Sequence, residues 1–409
     1  MRYSPSALRG PHRLSIVVLA FAGLLVWWGA AVTTKDVGLA VPDWPLSFGQ
    51  VNPDGWLGKE ALLLEHGHRS IASFVGTLTA ILFLWIWLRS SNQKAWVFAE
   101  FLALSVGLAA IVVGVSRGYT FESANSQAAA GNIDRATGDP TPWFALAAIV
   151  GVGVVVWFVW SWGKRGWSLP LKLSGLALIC VELQAVLGGL RVTEMSNAFG
   201  VIHGCFGQAF FCLLLLMVLV TSQSWESRPL VPQKAIGWLR IWGCVLFATV
   251  FGQLIVGATM RHTHRIGLAA DDIVTTGGTF LPDFSNFDLT ILFTHKSGAV
   301  IVFLVVFAFA GFALRHLTEV TALLRAAITL VVLVCVQVCL GIFVLETGKS
   351  FWVTNFHVLT GLCILSCAFF ILAKGFSAVE RSSLLAAEPS SGAVQSGLST
   401  HQESSARHV

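Results

Sequence analysis

Ten stretches of this chain are each long and apolar enough to cross a hydrocarbon layer, and this constrains the fold before any motif is read. A spanning helix needs roughly 20 apolar residues. Runs of that kind fall at approximately 13–34, 66–89, 95–117, 142–163, 169–191, 199–221, 239–260, 290–314, 322–345 and 353–375. A bilayer interior offers no water to backbone amides, so each run is expected to close its own hydrogen bonds as a helix. The predicted class is an all-α polytopic membrane protein with about ten transmembrane helices. The first run is too long for a cleavable leader and has no small-residue cleavage site after it, so it is expected to remain as a helix.

Charge sets orientation rather than partners. Only 11% of residues are charged, against roughly 25% in an ordinary soluble domain. The net charge of +5 is scattered between apolar runs rather than clustered on one face, which argues against nucleic acid as a partner. With the N-terminus cytoplasmic, 16 of the 26 Lys and Arg fall on the inner side and 10 on the outer, the sign of the positive-inside rule. Both termini are then cytoplasmic, and the polar segments 35–62, 118–141 and 261–289 are outer. The Ser- and Ala-rich tail, 376–409, is expected to be disordered and cytoplasmic. All eight cysteines lie inside apolar runs with no CxxC pair, so neither a zinc site nor a loop disulfide is expected.

The chain also repeats itself. Leu183-Gln184-Ala185-Val186-Leu187-Gly188 precedes His203 much as Val336-Gln337-Val338-Cys339-Leu340-Gly341 precedes His357, with Gln-to-His separations of 19 and 20. Gly38-Leu39-Ala40 follows the first run as Gly267-Leu268-Ala269 follows the seventh. One spacing breaks the pattern: His68 to His203 spans 135 residues and His295 to His357 spans 62, a difference of 73. The region of about 95–167, holding two apolar runs, has nearly that size. The expected organisation is an N-terminal four-helix half (1–222) carrying an inserted two-helix hairpin at about 95–167, and a C-terminal four-helix half (236–375). A pair of inserted helices leaves the topology downstream unchanged.

His68, His203, His295 and His357 each stand near the outer head of an apolar run, one pair per half. Ionisable groups are costly inside a bilayer and are read as functional by default. Two imidazoles facing each other across a four-helix bundle are what bis-histidine ligation of a haem iron requires. Arg69 and Lys296 directly follow His68 and His295 at a level where propionates need cations, and Arg191 and Arg261 close other helices there; snorkelling to the interface is the plainer reading of each. Glu65 lies three residues before His68, on the same helical face. The corresponding position in the second half is Leu292, so the carboxylate marks one pair only. His66, about 200° around the helix from His68, is not expected to share the site.

Pro42-Asp43-Trp44-Pro45-Leu46, Glu65-x-x-His68-Arg69, Leu187-Gly188-Gly189-Leu190-Arg191-Val192-Thr193 and the later histidines together resemble the haem A synthase family over most of 13–375, outside 95–167 and the tail. The resemblance implies an eight-helix core of two pseudo-symmetric bundles and a membrane oxidoreductase that converts the C8 methyl of haem O to a formyl group for cytochrome oxidase biogenesis. It implies haem O as substrate at His68 and His203, Glu65 as the catalytic carboxylate, and a resident haem b on His295 and His357. Arg69 and Lys296 would then be cofactor-binding residues. A haem O synthase and an electron donor or acceptor are the implied partners, with lipid around them, and the implied location is the bacterial cytoplasmic membrane with the histidine sites near its outer face. Some relatives carry a cysteine pair in the first outer loop, which 35–62 lacks, and the 95–167 hairpin has no counterpart in the family pattern. Two other functions use the same residues: a quinol-linked di-haem cytochrome, which needs the four histidines but not Glu65, and a proton-coupled transporter.

Overall fold

The structure is a computed structural model that describes residues 8–129, 139–262 and 273–380, with side chains described for all of these except 121–129. Among the described residues, ten helices are long and apolar enough to cross a membrane. They are α1 (Arg9–Thr34), α2 (Glu60–Ser90), α3 (Lys94–Ala129), α4 (Thr141–Lys164), α5 (Leu169–Thr193), α6 (Asn197–Thr221), α7 (Gln233–His262), α8 (Phe287–His316), α9 (Thr321–Glu346) and α10 (Phe351–Ser377). Every expected run is the middle of one helix, and the chain is an integral membrane protein of the all-α polytopic class.

The helices overrun the apolar windows because polar ends can still close backbone hydrogen bonds at the interface. Helix α2 begins at Glu60, so Glu65–Arg69 sit inside it rather than at its mouth. Helix α10 runs to Ser377, and β2 (Val379–Glu380) then pairs in parallel with β1 (Leu230–Val231), so regular structure continues past 375. Residues 381–409 of the tail, and Gly267-Leu268-Ala269, lie outside the described residues.

Packing arranges the helices in two rings. Helix α1 packs on α2 and α6, and α5 on α2 and α6; helix α7 packs on α8 and α10, and α9 on α8 and α10. The rings meet where α6 touches α7 and α10, and where α1 touches α10. Helices α3 and α4 form a hairpin against α2 and α5. Its seam is a glycine stripe: added Cβ atoms at Gly107, Gly114 and Gly118 would meet Val150, the Trp143 carbonyl with Ala147, and Phe144 respectively. With no hydrophobic effect between helices in lipid, close backbone approach of this kind supplies the contact.

Each ring has its own apolar core, at one level. In the first, Val18, Val75, Leu82, Phe83, Leu171 and Met217 are buried; in the second, Leu239, Leu246, Phe309, Ala313, Leu323 and Ile371 are. These residues occupy the starts of α1, α5, α7 and α9 and the ends of α2, α6, α8 and α10. The largest fully buried side chains are therefore concentrated at the end of each bundle away from the histidines. At the histidine end the buried residues include Glu65, Asn355, Val32, Val41 and Leu292.

Replacing Gly114 by Leu should force α4 off α3, at a cost of about 1–3 kcal/mol for overpacking. The thermal midpoint of the detergent-purified protein should fall for Gly114→Leu and stay in place for Gly153→Leu, whose added Cβ meets nothing within 4 Å.

Candidate cofactor-binding site

The four histidines come together in two matching pairs. The rings of His68 (α2) and His203 (α6) have centroids 6.4 Å apart with planes at 70°. Those of His295 (α8) and His357 (α10) are 6.5 Å apart at 61°. Each imidazole lies against a glycine on the preceding helix. A Cβ added at Gly29, Gly188, Gly257 or Gly341 would stand 3.0, 3.1, 3.0 or 3.4 Å from the Cε1 of His68, His203, His295 or His357. Four residues before three of those glycines stands a glutamine. Gln184 donates to the His203 carbonyl at 2.9 Å and Gln253 to that of His295 at 2.8 Å. Gln253 Nε2 also lies 3.1 Å from His295 Nδ1, and Gln337 Nε2 lies 3.2 Å from His357 Nε2. In α1 that place is held by Leu25.

The spacing within each pair has a chemical meaning. An imidazole nitrogen binds a first-row metal at about 2.0 Å and sits about 1.1 Å from its ring centroid, so two imidazoles on opposite sides of one metal have centroids about 6.2 Å apart. Both pairs are close to that value. Each offers only two donors, and no group of three or more His, Cys, Asp or Glu able to hold a metal ion occurs among the described residues. A metal held here would need its remaining ligands from a planar macrocycle, the arrangement of bis-imidazole haem. The Nδ1 atoms of His68, His203 and His357 are buried without hydrogen-bond partners, and buried groups of that kind need an explanation. The residues fit such a group: two axial donors, glycine walls, and an apolar core that stops short of the histidines.

Glu65 distinguishes the first pair. It is 4% exposed, and Leu292, its counterpart, is buried as well. Glu65 Oε1 is 2.7 Å from the Arg69 guanidinium, and its Oε2 accepts the Val41 N–H at 2.9 Å. Arg69 also donates to the carbonyls of Asp43 (2.6 Å), Leu46 (2.7 Å) and Val41 (3.1 Å). Its donors are thus spent on the first outer loop and on Glu65. Lys296 does the parallel thing in the second half, donating to the Thr275 carbonyl at 2.7 Å.

The two loops carry the same turn. Ser47 pairs with Gln50 and Thr276 with Thr279, with positive φ at Phe48 (53°), Gly49 (74°), Gly277 (62°) and Gly278 (78°). Positive φ at both central residues defines the mirror-image tight turn. Phe48 is a strained occupant, and the Asp43 carboxylate steadies it by accepting the N–H groups of Phe48 and Gly49 at 2.7 and 2.8 Å. Ser47 and Thr276 lie 229 residues apart, as do Gly38 and Gly267, so the repeat extends through the loops.

Two arginines stand between the pairs. Arg191 lies within electrostatic reach of His68, His203, Glu65 and Asp36. Its guanidinium covers Gly38, where an added Cβ would approach to 2.5 Å, so a larger residue there would displace it. Arg261 is half-buried, reaches His357 and Arg191 electrostatically, and donates to the Ala30 carbonyl and to Thr34 Oγ1 (2.6 Å). Thr34 in turn donates to Asn355 Oδ1 at 3.3 Å. The end of α1 is thereby tied to α7 and α10.

His66 faces elsewhere, its Nδ1 2.9 Å from Ser47 Oγ and its ring edge-on to Trp56. The glycine opposite each histidine, Gln253 and Asn355 escaped the sequence reading. The Gln-x-x-x-Gly pattern, present three times, was the available signal. Glu182, midway along α5 with a buried and partnerless Oε1, has no role that the geometry defines.

A polytopic membrane protein with ten spanning helices among its described residues and two paired-imidazole cradles, one flanked by a buried carboxylate, is the class that fold and site define. The chain belongs to the COX15-CtaA family of cytochrome oxidase assembly proteins, which matches residues 145–369, more than half its length. That stretch contains His203, His295 and His357; Glu65 and His68 precede it. The chain is similar to proteins named "Heme A synthase". The one from Halalkalibacterium halodurans is 25% identical over 221 residues, 52% of this chain and 72% of the relative. That from Lysinibacillus sphaericus is 24% identical over 244 residues, 58% and 76% of the two chains. That from Shouchella clausii is 23% identical over 210 residues, 50% and 68%.

Arg69→Ala would strand a buried carboxylate and three loop carbonyls. Removing one partner of a buried ion pair costs about 3–5 kcal/mol. Thermal unfolding should show a large loss for Arg69→Ala and a smaller one for Arg69→Lys, which keeps the charge but not the guanidinium's spread of donors.

Proposed function

We propose that this chain is an enzyme of haem A biosynthesis that oxidises the C8 methyl of haem O to a formyl group. The observation that carries the reading is the pair of equivalent histidine cradles, 6.4 and 6.5 Å across, of which one has a buried carboxylate and the other a leucine in the same place. We assign His68 and His203 to the substrate haem O and His295 and His357 to a resident haem b. An iron porphyrin supplies the redox capacity that protein side chains lack for attack on an inert C–H bond.

The chain's own residues hold and orient. Gly29 and Gly188 let the imidazoles of the first pair lie against the helix backbone, which fixes their rotation, and Gln184 anchors α6 beside its histidine. Glu65 is the catalytic residue in this reading, a carboxylate one turn outward from His68 that can accept a proton leaving the methyl or face a cationic centre developing there. Arg69 and the Val41 N–H hold its two oxygens, so it is presented in one orientation. Arg191, within electrostatic reach of His68 and His203, is the cation that would meet a propionate in this reading. Arg69 and Lys296, expected in that role, contribute by seating the outer loops around each site.

Conversion of methyl to formyl removes four electrons when water supplies the oxygen, which calls for an electron acceptor, whereas stepwise insertion from dioxygen calls for an electron donor; a haem O synthase would supply the substrate. The Lys/Arg bias puts both termini in the cytoplasm and the histidine sites near the outer face of a bacterial cytoplasmic membrane. A quinol-linked di-haem cytochrome would use the same four histidines but has no use for the asymmetry at Glu65.

His357→Ala should abolish the low-spin spectrum of the resident haem, and His203→Ala should spare that spectrum while stopping haem A formation. Pigments extracted from cells supplied with haem O should contain haem A with the wild-type chain and only haem O with Glu65→Ala, while both haems remain bound. Unchanged conversion in Glu65→Ala would remove Glu65 from the chemistry and favour the cytochrome.

A further inference from the structure

The α3–α4 hairpin is absent from the second half, and its outer end reaches the first site. Ser116 Oγ on α3 donates to the Trp44 carbonyl at 2.9 Å, across 72 residues of sequence. This serine lies on the side of α3 opposite the glycine stripe that holds α4, since Gly114 and Gly118 are each two residues away and so about 200° around the helix. The contact is thus not a by-product of hairpin closure.

Trp44 joins three elements. Its carbonyl is held by α3. Its indole lies on Gly189 of α5, where an added Cβ would come within 2.5 Å of the ring, beside the Gly188 that backs His203. Its neighbour Asp43 gives a carbonyl to Arg69 and a carboxylate to the Phe48–Gly49 turn. Arg69 in turn holds Glu65. A continuous line of contacts runs from the hairpin through two adjacent loop residues, Trp44 and Asp43, to Arg69 and the carboxylate. At the position 229 residues on, the second loop has Ile273, which is 44% exposed.

We infer that the inserted hairpin is a positioning element for the first site, in which Ser116 holds Trp44 so that the outer loop keeps Arg69 and Glu65 in register with His68. Ser116 touches neither substrate nor cofactor and acts through the loop. This inference rests on the assignment of Glu65 as the reacting carboxylate for its functional consequence, but not for its structural one.

Hydrogen–deuterium exchange on the full-length protein in detergent tests it directly. A lost side-chain hydrogen bond is worth about 0.5–1.5 kcal/mol, so Ser116→Ala should speed exchange at residues 41–50 on the order of 3- to 10-fold. Ser116→Thr, which keeps the hydroxyl, should restore the slow rate, and residues 273–281 of the second loop should not change in either variant. Haem A formation should fall severalfold in Ser116→Ala with both haem spectra retained. Unchanged exchange at 41–50 in Ser116→Ala, or equal acceleration in both loops, would overturn the inference. The exchange measurement needs no turnover, so a Glu65→Ala variant that still made haem A would sink the functional assignment and leave the loop result standing.

Discussion

Every histidine in the two cradles is admitted by a glycine. Between helices in lipid no hydrophobic force draws one backbone to another, and a ring whose Cε1 edge abuts its neighbour needs a neighbour without a side chain. Gly29, Gly188, Gly257 and Gly341 provide that at four equivalent positions, and the rest of the architecture follows from it. The largest fully buried side chains gather at the end of each bundle away from the histidines, and the helices meet at the histidine end through these glycines.

The two halves then diverge in polar detail. The second half has a glutamine before each of its glycines, on α7 and α9, and a leucine where the first half has Glu65. The first half has Leu25 in place of one glutamine, and its carboxylate is bound into the outer loop through Arg69. A bilayer gives such groups no water, so each needs a protein partner, and the loop supplies them. The polar residues that look like a local cluster in α2 are for this reason half of a loop anchor. The other half is backbone carbonyls of residues 41–46.

Much of this was legible in the sequence. The ten spans could be read because a bilayer demands length and apolarity of each helix independently of all others. The histidine pairs could be read because duplication wrote them twice, and the 73-residue mismatch located the hairpin. The expectation that Arg69 and Lys296 would face propionates followed from their positions at helix heads; the structure adds that Arg69 donates to Glu65 and three loop carbonyls and Lys296 to the Thr275 carbonyl. Carbonyl acceptors leave no mark in residue types. Ser116 to Trp44 and Arg261 to Ala30 were illegible for a related reason, since each joins an ordinary residue to a backbone atom 72 or 231 positions away. Only the folded chain brings such atoms together.

Arg261 has a consequence for how this chain can evolve. It belongs to one copy of the repeat and finds its acceptors in the other, on the final turn of α1, while Thr34 of that turn reaches Asn355. Here one seam carries a half-buried guanidinium that donates to the other half. A change to the last turn of α1 is thus felt in α7 and α10, so substitutions on the two sides of this seam are coupled.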